Sequence, residues 1–389
     1  MSRYETLDAA LSAGNLDGYL IDAAGDDSDQ QYLSGFDAPD PFFTLYRPDE
    51  LALLVSELEF GRAKSGSDAD VVRRFADFDF ADLREEHGLN EARRRMLAAF
   101  VADRGADSVA VPRRFPVDSA DGLRDHGIAV EPDQDDVVTK IRAVKTADEI
   151  EKIRAVQAAN EQAMAVAEEL IAAADPVEGI LHLDGEPLTS ERVKTEIETA
   201  LLKEGCGLDE TIVAGGKQGA DPHDRGSGPL PANEPIVIDI FPRNKTTKLH
   251  GDMTRTVVRG SPSETVEDWF ELTREAFEAA LDAIEPGVTG ETVHAAACEV
   301  YEQAGFPTLR SDPAAETGFI HNTGHGVGLD VHELPRMAPD GEELKPGHVV
   351  TVEPGLYDPA VGGVRLEDLV VVTEDGYRNL TDYPMTLQW

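Results

Sequence analysis

Five side chains able to ligate a metal follow one another through the second half of this 389-residue chain: Asp239, Asp252, His325, Glu353 and Glu367. Four are carboxylates and one is an imidazole, and each lies in a short segment that reads as strand or strand end. Hard oxygen donors in that majority, with one nitrogen, suit two divalent cations of the Mn, Co, Zn or Fe kind sharing bridging carboxylates. Taken singly, each residue has an ordinary alternative. The set points to a metal centre.

The local contexts sharpen that reading. Pro235–Phe241 is an apolar strand with one charge in it, Asp239, and a buried carboxylate costs several kcal/mol unless it is paired or ligates a metal. Asp252 begins the next strand, so a hairpin would bring the two carboxylates together. The alternative is that Asp239 pairs with Arg255 while Asp252 caps a turn. His321, His325 and His332 fall within twelve residues, beside Gly324, Gly326 and Gly328, and glycines let backbone approach a site closely. Pro354 forces an extended Glu353 at the end of the 349–353 strand. In the 364–372 strand, period-two alternation places Arg365 and Glu367 on one face and Asp368 on the other. Arg365 is then positioned to orient a carboxylate, unless the two form a surface pair on an edge strand.

The elements that must carry these residues divide the chain in two. Strand patterns at 18–21, 51–55 and 108–111, with a helix over 89–103, predict a small α/β domain over residues 1–140. His87 and His126 within it suggest no chemistry. Polar residues 132–136 lead to a helix start at Thr146, with Glu149 at capping-box spacing. A second domain then runs over 146–389. Its helices are marked by Ile150, Ile153 and Val156, by Val193, Ile197 and Leu201 ending at Gly205, and by Val293, Ala297, Val300 and Ala304 ending at Gly305. Ser261-Pro262-Ser263-Glu264 reads as another start, with Pro262 at the first helical position.

Composition narrows the setting. There are 76 acidic residues against 35 basic, a net charge of −41, spread along the whole chain. Self-repulsion of that size weakens the compact state unless salt screens it, so concentrated salt, as in a salt-accumulating halophile, is the expected milieu. An ordinary acidic cytosolic protein is the plainer alternative. With no basic patch, neither nucleic acid nor an anionic membrane is expected as a partner. Cys206 and Cys298, both in helical contexts, read as reduced packing residues. The opening Met1-Ser2-Arg3-Tyr4-Glu5 has no basic region before an apolar core, and no apolar run reaches the ~18 residues of a span. A soluble, cytoplasmic protein is expected.

With these residues in order, the chain resembles the pita-bread metallopeptidases: methionine aminopeptidase, Xaa-Pro aminopeptidase and Xaa-Pro dipeptidase, with creatinase as a relative. The matching motifs are Asp252 with Thr254, Arg255 and Thr256; His321 with His325, Gly326, Gly328, Leu329, His332 and Glu333; Glu353 through Tyr357; and Gly363 with Arg365, Glu367 and Asp368. His223, in Asp221-Pro222-His223, stands where the family has a substrate-binding histidine. Tyr32-Leu33-Ser34-Gly35-Phe36 resembles a creatinase-type N-terminal domain, which methionine aminopeptidases lack. There are two departures. Phe241 replaces a glycine usual two residues after the first aspartate, and the Asp239–Asp252 interval is about two residues longer than usual.

The resemblance implies a two-domain α/β (α+β) protein, a creatinase-like domain followed by a pita-bread catalytic domain. It implies hydrolysis of Xaa-Pro bonds in peptides or dipeptides, with Asp239 on one metal, His325 on the other, and Asp252 and Glu367 bridging. It makes Glu353 both ligand and proton shuttle. His223 and His332 would contact substrate and stabilise charge, supported by His321 and Arg365, and a homodimer is expected. The two departures favour a second possibility, a hydrolase of another small C–N substrate such as a compatible-solute amide.

Overall fold

The computed structural model describes residues 4–388. Trp389, and the first three residues of the segment read above for an export signal, lie outside them. The chain separates into two compact units, Met1–Arg142 and Ala143–Trp389.

The first unit is built on one six-stranded mixed sheet. In spatial order its strands are Val71–Arg74, Glu50–Val55, Phe42–Arg47, Gly18–Ala23, Ser108–Val111 and Ala129–Pro132. The three middle pairings from Glu50–Val55 to Ser108–Val111 comprise two antiparallel pairings and one parallel pairing. Leu20, Phe43, Leu45 and Leu54 meet Met96, Phe100 and Val101 of the Leu89–Asp103 helix in one core. The helix predicted over 89–103 is present with those bounds. A short helix, Val137–Ala143, follows the polar 132–136 stretch.

The second unit pairs helices with antiparallel sheets. Ala147–Ala173 and Ser190–Lys203 pack on a three-stranded sheet of Ile212–Gly215, Ile236–Ile240 and Met253–Val257. Glu264–Asp282 and Gly290–Gln303 lie over a second core. That core includes residues of a five-stranded sheet, in order Glu333–Met337, Gly324–Gly326, Val349–Val352, Asp368–Thr373 and Gly376–Asn379. The hairpin Gly355–Asp358/Gly362–Arg365 joins them. Thr146 and Glu149 form the expected capping box.

Some expectations shift. Ser263, not a residue before it, caps the Glu264–Asp282 helix by accepting from Val266 N, which leaves Pro262 outside the first turn. Cys206 sits in a short strand rather than a helix, although both cysteines are free and buried. The strand read over 364–372 is two strands, broken at Leu366-Glu367 where the chain changes partners. Among the described residues no helix is long and apolar enough to cross a membrane.

Candidate metal centre

In the strand pairing of the three-stranded sheet Asp239 lies opposite Thr254, and Ile240 opposite Met253. Asp252, two residues before Thr254, therefore shares a face with Asp239. The Ala147–Ala173 helix holds both strand ends. Gln157 Nε2 donates to Asp252 O at 2.8 Å while its Oε1 accepts from Asp252 N at 2.9 Å. Asn160, three residues on and on the same helix face, donates to Ile240 O at 2.6 Å. These two amides were not singled out in the sequence, because a buried polar helix residue acquires a purpose only from what it docks against.

His325 comes from the Gly324–Gly326 strand, whose pairing with Glu333–Met337 is irregular at His325/Gly326. Added methyls at Gly324 and Gly326 would strike the carbonyls of Thr351 and Leu334, so only glycine permits this spacing. Nδ1 of His325 faces Gly326 O at 3.1 Å. That bond assigns the proton to Nδ1 and leaves the Nε2 lone pair facing Asp252 Oδ2 at 3.8 Å and Glu353 Oε1 at 3.4 Å. Glu353 follows the Val349–Val352 strand, with its N–H donating to Thr323 O. Glu367 sits at the strand break, where Thr254 Oγ1 donates to its Oε2 at 2.7 Å.

Asp252, His325 and Glu367 offer ligand atoms all within 4.8 Å of one another. Glu353 adjoins them through His325. Asp239 is held from the other side: Arg365 Nη2 donates to its Oδ2 at 2.6 Å, while its Oδ1 is buried with no hydrogen-bond partner. The alternative pairing of Asp239 with Arg255 is overturned, since Arg255 is buried against Asp368 at 2.9 Å. Asp252 is buried beside His325 and Glu367 at the strand end. The surface-pair reading of Arg365 and Glu367 also fails, because they are 3 % and 1 % exposed.

Electrostatics shows what this cluster lacks. Burial, then repulsion from Asp239 and Glu353, raises the Asp252 carboxyl well above its usual range. Burial, then Asp252 and the other two acids, does the same for Glu367. Burial pushes Glu353 up to about 8 against the opposing pull of Arg365. Burial, then the neighbouring His332, holds the His325 imidazole down to about 3, so it is a neutral ligand at pH 7. Crowded acids, a neutral imidazole aimed among them and an orphaned buried carboxylate oxygen are a donor set that divalent cations would complete.

The histidines divide. His332 packs edge-on against His325, with centroids 4.3 Å apart. His321 instead joins a relay beginning at Asp239: Arg365 Nη1 donates to Tyr357 Oη at 2.9 Å, and Tyr357 Oη lies 2.8 Å from His321 Nε2. Because His321 Nδ1 faces Asn322 O at 2.7 Å, Nε2 accepts the tyrosine proton. Tyr357 was legible only as part of a motif. His223 is exposed, its N–H bonded to Asp221 Oδ1. A positive charge on its ring would oppose protonation of both His321 and His332. Lys145 and Glu333, the residue after His332, are both buried and pair at 2.8 Å.

Buried carboxylates and an imidazole gathered at strand ends define a class, the metal-dependent hydrolases. Residues 151–374, more than half of the chain and the part with all five donors, match Metallopeptidase family M24. The chain belongs to that family. It is 30 % identical over 355 residues to the Xaa-Pro dipeptidase of Pyrococcus furiosus, covering 90 % of each. The solved prolidase of Pyrococcus horikoshii superposes with a TM-score of 0.80 at 26 % identity, covering 100 % of both chains. The X-Pro aminopeptidase of Thermotoga maritima superposes with 0.79 at 27 % identity, covering 96 % of this chain and 98 % of that one.

Proposed function

We propose that this metallopeptidase hydrolyses the peptide bond preceding proline, using two divalent cations held by Asp239, Asp252, His325, Glu353 and Glu367. The observation that carries this reading is the convergence of Asp252, His325 and Glu367 within 4.8 Å, with Glu353 3.4 Å from the same imidazole. When bound, the cations supply Lewis acidity and a nucleophilic hydroxide near neutral pH. Glu353, 3.4 Å from His325 at the end of its strand, takes a proton and returns it to the leaving nitrogen. Arg365 fixes Asp239, and Tyr357 and His321 extend that support. His223 and His332 stabilise charge on the attacked carbonyl. An Xaa-Pro bond is a tertiary amide without an N–H, so a site that activates the carbonyl needs no donor from the scissile nitrogen.

The named relatives favour peptides over a compatible-solute amide. The first unit is read as the creatinase-type domain, the assembly as a homodimer, manganese as a native metal and the setting as the cytoplasm of a halophile. Hydrolysis of Ala-Pro, Ala-Pro-Ala and Ala-Ala in molar KCl tests the reading. Metal-dependent release of alanine from a proline substrate, with Ala-Ala untouched, is expected, and the preferred length distinguishes dipeptidase from aminopeptidase. Equal cleavage of Ala-Ala, or turnover of none, would overturn it.

A further inference from the structure

A cavity of about 560 Å³ has a wall that includes Phe241, Arg243, Lys245, His250 and Val331. Three chain segments that carry site residues also wall this space. Phe241 follows Asp239 by two residues, His250 precedes Asp252 by two, and Val331 directly precedes His332. Phe241 directly follows the Ile236–Ile240 strand that carries Asp239, so the cavity wall and the proposed centre share that strand end.

Its charge is unlike that of the rest of the chain. In a protein with 76 acids to 35 bases, residues 240–251 contain Arg243, Lys245 and Lys248 and no acid. Arg243 Nε donates to Lys248 O at 3.0 Å and closes the turn. Asn244 Oδ1 accepts from Thr246 N and Thr247 N, which fixes the loop. The Lys245 stem lies over Gly207, 3.3 Å from where a methyl would be. Among the described residues neither Arg243 nor Lys245 makes an ion pair. Acids on the same wall, among them Asp209 and Glu210, are exposed, and Glu210 is already paired with Arg225. Arg225 lies over the Phe241 ring, 5.7 Å from its centroid. Arg243 and Phe241 are half-buried, so cationic charge sits deeper than anionic charge and is less screened.

We propose that this cavity is a substrate subsite in which Arg243 and Lys245 take a carboxylate carried by the peptide, either its C-terminal carboxylate or an acidic side chain. The proposal rests on the peptidase reading and extends it to sequence preference. A planar guanidinium offers paired donors to a carboxylate, and the nearby ammonium adds a point charge. In molar salt the screening length falls to about 3 Å, so only a carboxylate seated directly against these groups benefits.

The test compares wild type with Lys245→Gln and with the double variant Arg243→Gln/Lys245→Gln at one KCl concentration. The ratio of kcat/KM for Ala-Pro over Ala-Pro amide reads the C-terminal carboxylate. The ratio for Ala-Pro-Glu amide over Ala-Pro-Gln amide reads a side chain. At least one ratio is expected to exceed one in wild type and to fall fivefold or more in the double variant, through KM rather than kcat. Lys245→Gln, at an exposed position, should give a smaller fall even if Arg243→Gln disturbs the turn. Calorimetric binding of N-acetylproline and its amide supplies a readout without turnover. Tighter acid binding that weakens in Lys245→Gln and is lost in the double variant supports the subsite even if no peptide is cleaved, which would overturn the peptidase reading alone. Ratios and affinities that do not change on substitution would overturn the subsite while leaving that reading intact.

Discussion

On the proposed reading, Glu353 is the residue on which the chemistry turns. It follows the Val349–Val352 strand and lies 3.4 Å from His325 among the other buried acids. Glu353→Gln keeps the shape and removes the proton carrier, so kcat should fall by about 10²–10⁴-fold with the fold unchanged by circular dichroism. A loss below tenfold would assign the shuttle elsewhere. Two histidines outside the donor set make a different prediction. Burial lowers both His294 and His348 to about 4, and His348 Nδ1 accepts from Lys345 N at 3.1 Å, a bond only the unprotonated nitrogen makes. Both folded-state values lie below the unfolded value near 6.5, so protonation favours unfolding. Their contribution is present above pH 6.5 and is lost as pH falls through 6.5 towards 4, up to about 3 kcal/mol for each ring. Urea titrations across that window should show the decline, and His348→Gln should flatten it; an unchanged slope in that variant would remove His348 from the account.

At the scale of elements, close strand approach and one buried ion pair set the position of the histidine loop. Gly324→Ala would drive a methyl into Thr351 O and push the His325 strand off its neighbour. A loss of about 1–3 kcal/mol is expected in thermal unfolding, together with weaker metal binding; retained stability and affinity would mean the strands can separate freely. Lys145 and Glu333 are 2 % and 1 % exposed in their side chains. Lys145→Met strands a buried carboxylate and should cost roughly 3–5 kcal/mol, while Lys145→Met/Glu333→Leu recovers much of it. A double variant no better than the single would contradict that origin. The candidate donors that converge, Asp252, His325 and Glu367, and the glycines around His325 were legible in sequence, because metal ligands and close backbone approach restrict residue type. The partners of Asp239 and Arg255 were not, since they depend on where the 362–365 and 368–373 strands part company. Gln157 and Asn160 were hidden for a similar reason, as polar residues on a helix whose docking partner is about 80–95 residues away.

For the whole molecule, a net charge of −41 makes salt part of the folding equilibrium. Raising KCl from 0.1 M to 2 M shortens the screening length from about 10 Å to below about 3 Å, and the unfolding temperature should climb steadily across that range. A flat or falling midpoint would contradict a chain adapted to concentrated salt. The same screening leaves the metal centre largely untouched, because its charges are buried and adjacent. Its filling should therefore stabilise the protein at every salt concentration, in proportion to metal affinity. The measurement that tests the account most directly is titration of chelator-treated protein with Mn²⁺ in molar KCl, followed by calorimetry and Ala-Pro hydrolysis together. Two equivalents bound, with activity rising as they bind and both reduced in Glu367→Ala, is the predicted result. Full proline-peptide cleavage without metal, or in a Glu367→Ala variant that binds none, would contradict it.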